Sequence, residues 1–284
     1  MKIGIVGLGV VGKACRDGFE KGGHQVMGHD IVLNTKIEDL SSSEIIYLTV
    51  PTPQMPNGEC NISIVASVVK ELSEIKYDGI IAVKSTVPPG TVSNLSNIYK
   101  DLNICFVPEF LKERSASDDF INHGTLIVGA NNKTEGDLIY KSHSHLTDKW
   151  ILVSPAEAEV TKYFHNVFNA ARISFANEMF DVCQAVDASY DNVLRSALAR
   201  NSYSSEYLMV NEDLRGFAGV CLPKDVSALV KFCEHNNIPG QLIKAVGESN
   251  KDNTRIIGQT YTVSSADTWE KKTLTFAGDT SGAF

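Results

Sequence analysis

At 284 residues, with 43% hydrophobic and 21% charged residues, the chain suits one large globular domain or two ordinary ones. Its net charge of −8 argues against a broad nucleic-acid-binding surface, and no apolar run reaches the length of a membrane span. Its six cysteines are scattered without a CxxC pair, and a strand pattern begins at once, with no signal peptide. We therefore expect a cytoplasmic protein with reduced thiols and no metal site, which binds neither nucleic acid nor a membrane.

A dinucleotide-binding pattern opens the chain. The apolar run 2–6 predicts a buried strand, followed directly by Gly7-Leu8-Gly9-Val10-Val11-Gly12 and a helical pattern to about residue 21. In this pattern Gly7 makes the tight turn, Gly9 lets a pyrophosphate approach the backbone, and Gly12 lets the helix pack on the strand. Free N–H groups of the first helical turn, which includes Val11, favour the phosphates.

Asp30 indicates which dinucleotide is bound. The second predicted strand, 24–29, ends at this residue, where the adenosine ribose lies in such folds. A carboxylate at this position accepts hydrogen bonds from the ribose hydroxyls and repels a 2′-phosphate. Asp30 therefore predicts NAD rather than NADP as the cofactor.

The first 153 residues predict an α/β domain of the Rossmann type, a doubly wound parallel sheet. Further strands are predicted at Ile45–Val50, Gly79–Lys84, Ile104–Phe106, Thr125–Val128 and Trp150–Val153, with helical segments between most of them. Three loops, 50–53, 84–91 and 107–113, follow successive strands, and ligands bind at that edge of a parallel sheet. Each proline-rich loop taken singly is equally well explained as turn chemistry, but three at one edge favour a site.

A long helix is predicted to open the second half. The segment 155–186 lacks internal glycine and keeps a helical period. At 1.5 Å per residue about 30 residues span about 45 Å, so we expect the helix to join two domains. Lys162 and Asn166 share one face of it, although a solvated stripe would show the same spacing.

Shorter helices are predicted at 191–199, 224–236 and 240–250. The predicted division is therefore a Rossmann domain (1–153), a helical dimerisation domain (154–250) and a tail (251–284). The tail carries weak signals, with one strand-like run at 274–278.

The stretch Gly216 to Asp225 combines a thiol, an ammonium and a carboxylate. Cys221, Lys224 and Asp225 lie within five residues, behind a glycine-spaced loop that ends at Pro223. A cysteine beside a cation favours its thiolate and becomes a nucleophile. The alternative is a loop with a buried structural cysteine, which most single cysteines are.

Together these segments resemble the UDP-glucose/GDP-mannose dehydrogenase family. The matching pieces are GLGVVG (7–12), VPTP (50–53), KSTVPPGT (84–91), PEFLKE (108–113), the helix 156–178 and GFAGVCLPKD (216–225). The resemblance implies an enzyme of polysaccharide biosynthesis that oxidises a nucleotide-sugar alcohol to the carboxylate with two NAD⁺. It also implies a homodimer built on the helical region, where the apolar stretch 173–175 would be exposed.

The resemblance also implies roles for individual residues. Cys221 resembles the nucleophile that forms a thiohemiacetal and then a thioester, Lys162 and Asn166 resemble the groups that stabilise oxyanions, and Asp225 resembles the group that assists proton transfer. Glu109 resembles an acid/base or water-orienting carboxylate, and Thr86 and Glu113 resemble residues on the nicotinamide side. Further cofactor contacts are expected from Thr52 and Lys224. Substrate contacts are expected from Glu109, Phe110, Leu111, Lys112, Lys162, Asn166 and Gly216.

The chain departs from the family pattern at several places. Ala218 replaces a loop glycine, Arg114 follows PEFLKE where glycine is common, and Arg200 does not align with the arginine that usually precedes the cysteine loop. Residues 271–276 resemble the first strand of a third, nucleotide-gripping domain, and the chain ends there. We therefore expect weak substrate binding or dependence on a partner protein.

Two other functions remain open at this stage. One is a single-step NAD-dependent hydroxy-acid dehydrogenase of the 6-phosphogluconate type, which needs the helix lysine but no cysteine. The other is a non-catalytic partner of a full-length homologue.

Overall fold

The computed structural model describes residues 1–112, 115–122, 124–200 and 204–256, and strands alternate with helices through its first half. The strands are β1 (Lys2–Val6), β2 (Gln25–His29), β3 (Ile45–Leu48), β4 (Ile80–Val83), β5 (Asn103–Phe106), β6 (Leu126–Gly129) and β7 (Trp150–Val153). The helices are α1 (Val10–Lys21), α2 (Ser63–Glu74), α3 (Thr91–Ile98), α4 (Ala116–Ile121), α5 (Lys133–His143), α6 (Pro155–Ala185), α7 (Tyr190–Arg200), α8 (Leu222–His235) and α9 (Gln241–Ile256). This confirms the predicted fold class. The strand-like run at 274–278 lies outside the described residues.

The seven strands form one sheet in the order β2-β1-β3-β4-β5-β6-β7. The first five are parallel, and the chain reverses its winding direction between β1 and β3. One apolar cluster includes Val69 and Leu95 of α2 and α3, and a second includes Phe19 and Ile139 of α1 and α5. The sheet is therefore covered on both faces, as in other doubly wound folds.

One strand of this mostly parallel sheet, β6, runs in the opposite direction to its neighbour. This strand runs antiparallel to β5 and pairs with it only through Phe106 and Gly129, while β7 is parallel to β6. The connection between antiparallel strands does not need to cross the face of the sheet. The chain after β5 accordingly reaches β6 through the short helix α4. The direction of a strand is defined relative to the strand it pairs with. The apolar run at 126–129 predicts a strand but does not indicate whether it is parallel or antiparallel to β5.

Gly129 lets α6 begin close to the carboxyl ends of β5 and β6. A Cβ atom on this glycine would lie 2.7 Å from Cβ of Ala158, 2.9 Å from Cα of Pro155 and 3.2 Å from O of Phe106. Any side chain would force α6 away from the strand ends. The first turns of α6 therefore lie at the edge where the proline-rich loops begin.

The chain divides into two compact units. The first contains Met1–Asn166 with Ser227–Gly240, and the second contains Val167–Val226 with the described residues from Gln241 onward. The predicted division at 153 and 250 stays a prediction. The second unit has its own core, in which Ile173 and Ala176 are fully buried and the ring of Phe180 packs edge-on against Tyr190 at 5.8 Å.

Candidate active site

The glycine loop after β1 leaves open space at one position. Gly7 has φ +91°, and a Cβ there would lie 2.9 Å from the Thr49 carbonyl oxygen, while a Cβ on Gly12 would overlap the Gly7 carbonyl. Gly9 has no heavy atom within 4 Å of its Cβ position. Gly7 and Gly12 are therefore needed for close packing, whereas the space beside Gly9 is available to a ligand. The Val11 side chain packs against the core.

Asp30 lies at this loop and is oriented by it. Its carboxylate accepts hydrogen bonds from the Leu8 amide at 2.6 Å and the Val32 amide at 3.2 Å. The amide of Leu8, followed by that of Val32, holds the pKa of Asp30 below its usual value. The carboxylate is thus ionised and fixed in direction before a ligand binds.

A cavity of about 660 Å³ lies between the ends of β1 and β3. Gly7, Gly9 and Asp30 line one side of it, with apolar Ile64 and Val68 of α2 among the other walls. This is the point where the winding of the sheet reverses, and doubly wound folds bind ligands there. The open position at Gly9, the ionised Asp30 and the apolar walls fit the phosphates, ribose and adenine of a dinucleotide.

The loops after β3 and β4 are joined by small polar side chains. Ser85 donates a hydrogen bond to the Val50 carbonyl at 2.7 Å. The Cys60 thiol lies 3.8 Å from the Thr52 carbonyl and 3.6 Å from the Thr86 carbonyl. Thr52 and Thr86 are both buried. The structure therefore brings these two predicted cofactor residues into adjoining loops.

Glu109 and Lys162 form a buried ion pair in the first unit. The Lys162 ammonium donates to the Glu109 carbonyl at 2.5 Å and to Oε1 at 3.1 Å, and their side chains are 4% and 12% exposed. Oε2 of Glu109 accepts the Leu111 amide at 2.8 Å. Burial alone would raise the pKa of Glu109, but Lys162, the Leu111 amide and Lys84 together lower it. The carboxylate therefore stays ionised.

The neighbours of this pair include most of the predicted substrate residues. The Phe110 ring lies 5.4 Å from the Lys162 ammonium and packs against His165, and the Lys112 amide is bonded to Asp119. Asn166 is buried one turn beyond Lys162, so both face inward rather than forming a solvated stripe. Glu113 lies outside the described residues.

Sequence reasoning missed Lys84, which is almost fully buried where β4 ends. Its ammonium lies 6.0 Å from the Tyr47 ring centroid and 5.8 Å from that of Phe120. Burial lowers the pKa of Lys84, while Cys15 and Glu109 oppose that effect. A lysine directly after an apolar strand, at the edge where ligands bind, was the available signal.

In the second unit, Cys221 precedes the first residue of α8. It is the exposed cysteine of the chain, whereas the other five are buried. The Asp225 amide donates to the Cys221 carbonyl at 2.9 Å, closing the first turn. Lys224 and Asp225 form an ion pair at 2.6 Å, in which Asp225 is 1% exposed. The N-terminus of a helix favours a thiolate because free N–H groups point toward it.

The loop that leads to Cys221 is held by three residues that the sequence analysis did not identify. Asn177 accepts the Gly216 amide at 3.0 Å. Asn250 accepts the Phe217 amide at 2.6 Å and donates to the Phe217 carbonyl at 2.8 Å. Arg215 is bonded to Asp181 at 2.6 Å. Gly216 has φ +64°, which few residues other than glycine adopt. An asparagine paired to a backbone amide leaves no periodic signal in a sequence.

The described residues lack both a membrane-spanning helix and a metal-binding cluster. In this part of the chain, no helix combines the length and apolar character needed to cross a bilayer. The same residues contain no cluster of three or more His, Cys, Asp or Glu side chains suited to a metal ion.

The chain matches sequence models of two domains of one family. Residues 31–147 match the NAD binding domain of the UDP-glucose/GDP-mannose dehydrogenase family, and residues 156–252 match the central domain of that family. UDP-glucose 6-dehydrogenase of Rickettsia bellii is 33% identical over 223 residues, which cover 76% of this chain and 51% of the relative. The chain thus spans about half the length of the curated relatives it matches.

Solved structures share the fold. A UDP-glucose dehydrogenase from Pyrobaculum islandicum superposes with a TM-score of 0.81 at 24% identity, covering 88% of this chain and 68% of that one. The 3-hydroxyisobutyrate dehydrogenase of Mycobacterium tuberculosis gives a TM-score of 0.73 at 13% identity, covering 93% and 96% of the two chains. At these identities the likeness concerns the fold alone.

Proposed function

Because the chain belongs to the UDP-glucose/GDP-mannose dehydrogenase family and carries its NAD-binding domain, we propose that it oxidises the C6 alcohol of a UDP-glucose-like nucleotide sugar to the carboxylate. Two hydrides leave the sugar carbon in this reaction, and one water oxygen enters it. NAD supplies the hydride acceptor for each oxidation. The balance is one alcohol, one water and two NAD⁺ giving one carboxylate, two NADH and three protons.

The observation that carries the proposal is the position of Cys221. Its thiol is exposed directly before α8, while the other five cysteines are buried. A single oxidation of an alcohol needs no nucleophile, but an aldehyde is oxidised by hydride loss only after a nucleophile or water has added to it. An accessible thiol at a helix N-terminus supports the covalent route.

In the proposed mechanism Cys221 acts between the two oxidations. Its thiolate adds to the C6 aldehyde and forms a C–S bond, giving a thiohemiacetal. Hydride loss from that carbon leaves a thioester, and attack by water breaks the C–S bond, releasing the carboxylate and regenerating the thiolate. Asp225, which is buried and paired with Lys224, assists the proton transfers.

The oxyanions that form along this route need donors, and we assign that role to Lys162 and Asn166. Both are buried, and the Lys162 ammonium is already oriented by Glu109. Donors fixed in a low-dielectric site stabilise developing charge strongly. The low pKa of Glu109 keeps it ionised, which suits a carboxylate that orients the hydrolytic water.

The cofactor contacts are assigned on the same basis. Asp30 would accept hydrogen bonds from the ribose hydroxyls, Gly9 would lie beside the phosphates, and Thr86 would lie on the nicotinamide side. Support comes from the open space at Gly9 and from the 660 Å³ cavity beside it. The contacts assigned to Thr52 and Lys224 stay predictions.

We also propose that the chain forms a homodimer through α6. Phe168, Phe175, Val182 and Val186 are all more than half exposed, and the first three are spaced by seven residues along one face. An exposed apolar stripe of this kind indicates an interface. The stripe differs from the predicted one, because Ile173 and Ser174 are buried in the second unit.

The test is the amount of NADH formed with a panel of UDP- and GDP-sugars, measured per mole of sugar consumed. Two NADH with appearance of a uronate support the proposal. One NADH would favour the single-step hydroxy-acid dehydrogenase. No NADH with any sugar, despite NAD binding, would favour a non-catalytic partner.

A further inference from the structure

Glu159 is a buried carboxylate for which the proposed mechanism has no use. It lies in the first turns of α6, three residues before Lys162, and 0% of its surface is exposed. A buried charge is costly unless it is hydrogen-bonded, so its partners indicate its role.

Both carboxylate oxygens of Glu159 bind one loop. Oε2 accepts the Gly90 amide at 2.5 Å, and Oε1 accepts the Val92 amide at 2.8 Å. Gly90 has φ +89° and caps the N-terminus of α3, at the end of the loop that follows β4. This loop also contains Thr86. One carboxylate therefore fastens the far end of the β4 loop to α6.

The sheet order indicates what the β4 loop would contact. Asp30 follows β2 and the glycine loop follows β1, so a dinucleotide with its adenosine at Asp30 would extend over the ends of β3 and β4. Neighbouring strands lie about 4.8 Å apart, which puts β4 about 10 Å beyond β1. The β4 loop would thus lie beside the nicotinamide half of a bound dinucleotide, whose adenosine half would lie at Asp30.

We propose that Glu159 is a positioning residue that holds the β4 loop in place for the nicotinamide half of NAD. The inference rests on the cofactor site of the proposed function and adds a determinant of its geometry. Glu159 acts through the backbone of residues 90–92 and contacts no ligand itself.

The titration of Glu159 distinguishes a positioning role from a purely structural one. Only a positioning role should make the ratio of NAD⁺ to ADP-ribose affinity depend on pH. Burial raises its pKa to about 7, against the opposing effect of its two amide hydrogen bonds. Protonation leaves one good acceptor for two amides, so the loop is held less firmly at low pH.

The charged groups on the neighbouring segments have other partners. Glu157 is exposed and bonded to Ser154, Lys162 is bonded to Glu109, and the pKa of Lys84 responds to Cys15, Glu109 and Lys162. Helix α3 carries no charged residue. His29 lines the cavity near Asp30 at the end of β2, three strands away from β4 in the sheet.

The experiment compares the affinities of the 284-residue chain for NAD⁺ and for ADP-ribose, which lacks nicotinamide, by calorimetry. Glu159→Gln keeps the shape of the side chain but replaces one acceptor by a donor. We expect it to weaken NAD⁺ binding by about tenfold, as for the loss of one hydrogen bond to a charged group. ADP-ribose affinity should stay within about twofold, because its contacts lie elsewhere. Glu157→Gln, the same change on the exposed side of α6, should alter neither affinity.

The wild-type chain allows an independent test of the proposal that needs no variant. Its ratio of NAD⁺ to ADP-ribose affinity should fall as the pH is lowered through about 7. The ratio should stay flat in Glu159→Gln. Equal weakening of both ligands by Glu159→Gln, an unchanged NAD⁺ affinity, or a flat wild-type ratio would overturn the proposal. Neither ligand is turned over, so the result does not depend on whether a nucleotide sugar is oxidised.

Discussion

The two compact units hold their reactive groups in opposite ways. In the first, Lys162 and Glu109 are buried, bonded to each other and fixed by the backbone. In the second, Cys221 is exposed directly before α8. The loop that leads to it is held by Asn177 and Asn250, which bind the backbone amides of Gly216 and Phe217.

In the proposed mechanism, this difference follows from what each group must do. A charged group stabilises an intermediate most strongly when it is buried and oriented in advance. The free-energy cost of burying the charge is then incurred when the protein folds. A thiol that forms and breaks a bond must be reached by a large substrate, so its loop is anchored and the sulfur remains accessible. The comparison predicts that substitutions in the first unit change stability and rate together, while those at Cys221 change only chemistry.

The largest expected effect is that of Cys221→Ala, which removes the proposed nucleophile. We expect no carboxylate product from the sugar that is active in the panel, with NAD⁺ affinity and thermal stability unchanged because the thiol is exposed. Product analysis by mass spectrometry and NAD⁺ titration measure the two effects. Undiminished acid formation would eliminate the covalent route.

Cys221→Ser is the chemical control for that variant. A hydroxyl adds more slowly and leaves more slowly than a thiolate, so a sugar ester on the protein should accumulate. Intact-mass measurement after incubation with NAD⁺ and the sugar detects it.

Lys162→Met should lower the rate by roughly 10²–10³-fold, the effect of removing one oxyanion donor. It should also lower the free energy of unfolding by about 3–5 kcal/mol, because Glu109 would remain buried without its cation. Denaturant unfolding at neutral pH measures the loss. Lys141→Met, an exposed change on α5 in the same unit, should alter neither quantity.

The double variant Lys162→Met with Glu109→Gln separates the two effects, since stability should recover while the rate does not. The pH dependence has a definite sign. The folded-state pKa of Glu109 is lowered, so its stabilisation is present above the unfolded pKa and is lost as the pH falls through the folded value. Acid unfolding of Lys162→Met should lack this loss. A double variant as unstable as the single one would contradict the assignment.

Phe175→Asp tests the apolar stripe of the second unit. A charge at the centre of an interface should cost about 2 kcal/mol, which weakens the dimer by about 30-fold. Light scattering over a concentration series measures the shift. Gln184→Asp, an exposed residue about half a turn away around α6, should leave the mass unchanged. A wild-type chain that is monomeric at micromolar concentration would refute the dimer.

The smallest expected effect concerns Asp30, which is already well bonded. Asp30→Ala should weaken NAD⁺ binding by about tenfold and reduce discrimination against NADP⁺. Asp30→Asn keeps an acceptor for the Leu8 amide, so it should change discrimination more than affinity. Direct titration with both cofactors measures the affinities. A wild-type chain that binds NADP⁺ more tightly than NAD⁺ would contradict the role assigned to Asp30.

The elements that could be predicted from the sequence are those with a local signal. The five parallel strands, the glycine loop and α6 follow from apolar runs, glycine spacing and helical period. Lys162 and Asn166 were predicted on one face, and both are buried on it. The spacing of four residues predicted this because four residues make about one turn of an α-helix.

The features that were missed or wrong depend on distant partners. Glu159 is bonded to Gly90 and Val92, which lie 69 and 67 residues earlier, so its helical position alone could not reveal a role. Lys84 is buried by rings from two other parts of the first unit. Ser174 was expected at an exposed surface, but its hydroxyl is buried within 3.4 Å of the Val246 carbonyl. Tertiary neighbours decide burial in each case.

The buried cysteines have a consequence for measuring how the molecule opens. Cys15, Cys60, Cys105 and Cys233 belong to the first unit, and Cys183 belongs to the second. Burial raises the pKa of Cys15 to about 12 and raises that of Cys105 as well, so these thiols react with a label only when the surrounding structure transiently opens. Their labelling rates, resolved by peptide mass spectrometry, report the opening free energy of each unit separately. The wild-type chain thus carries its own reporters of which unit loosens first.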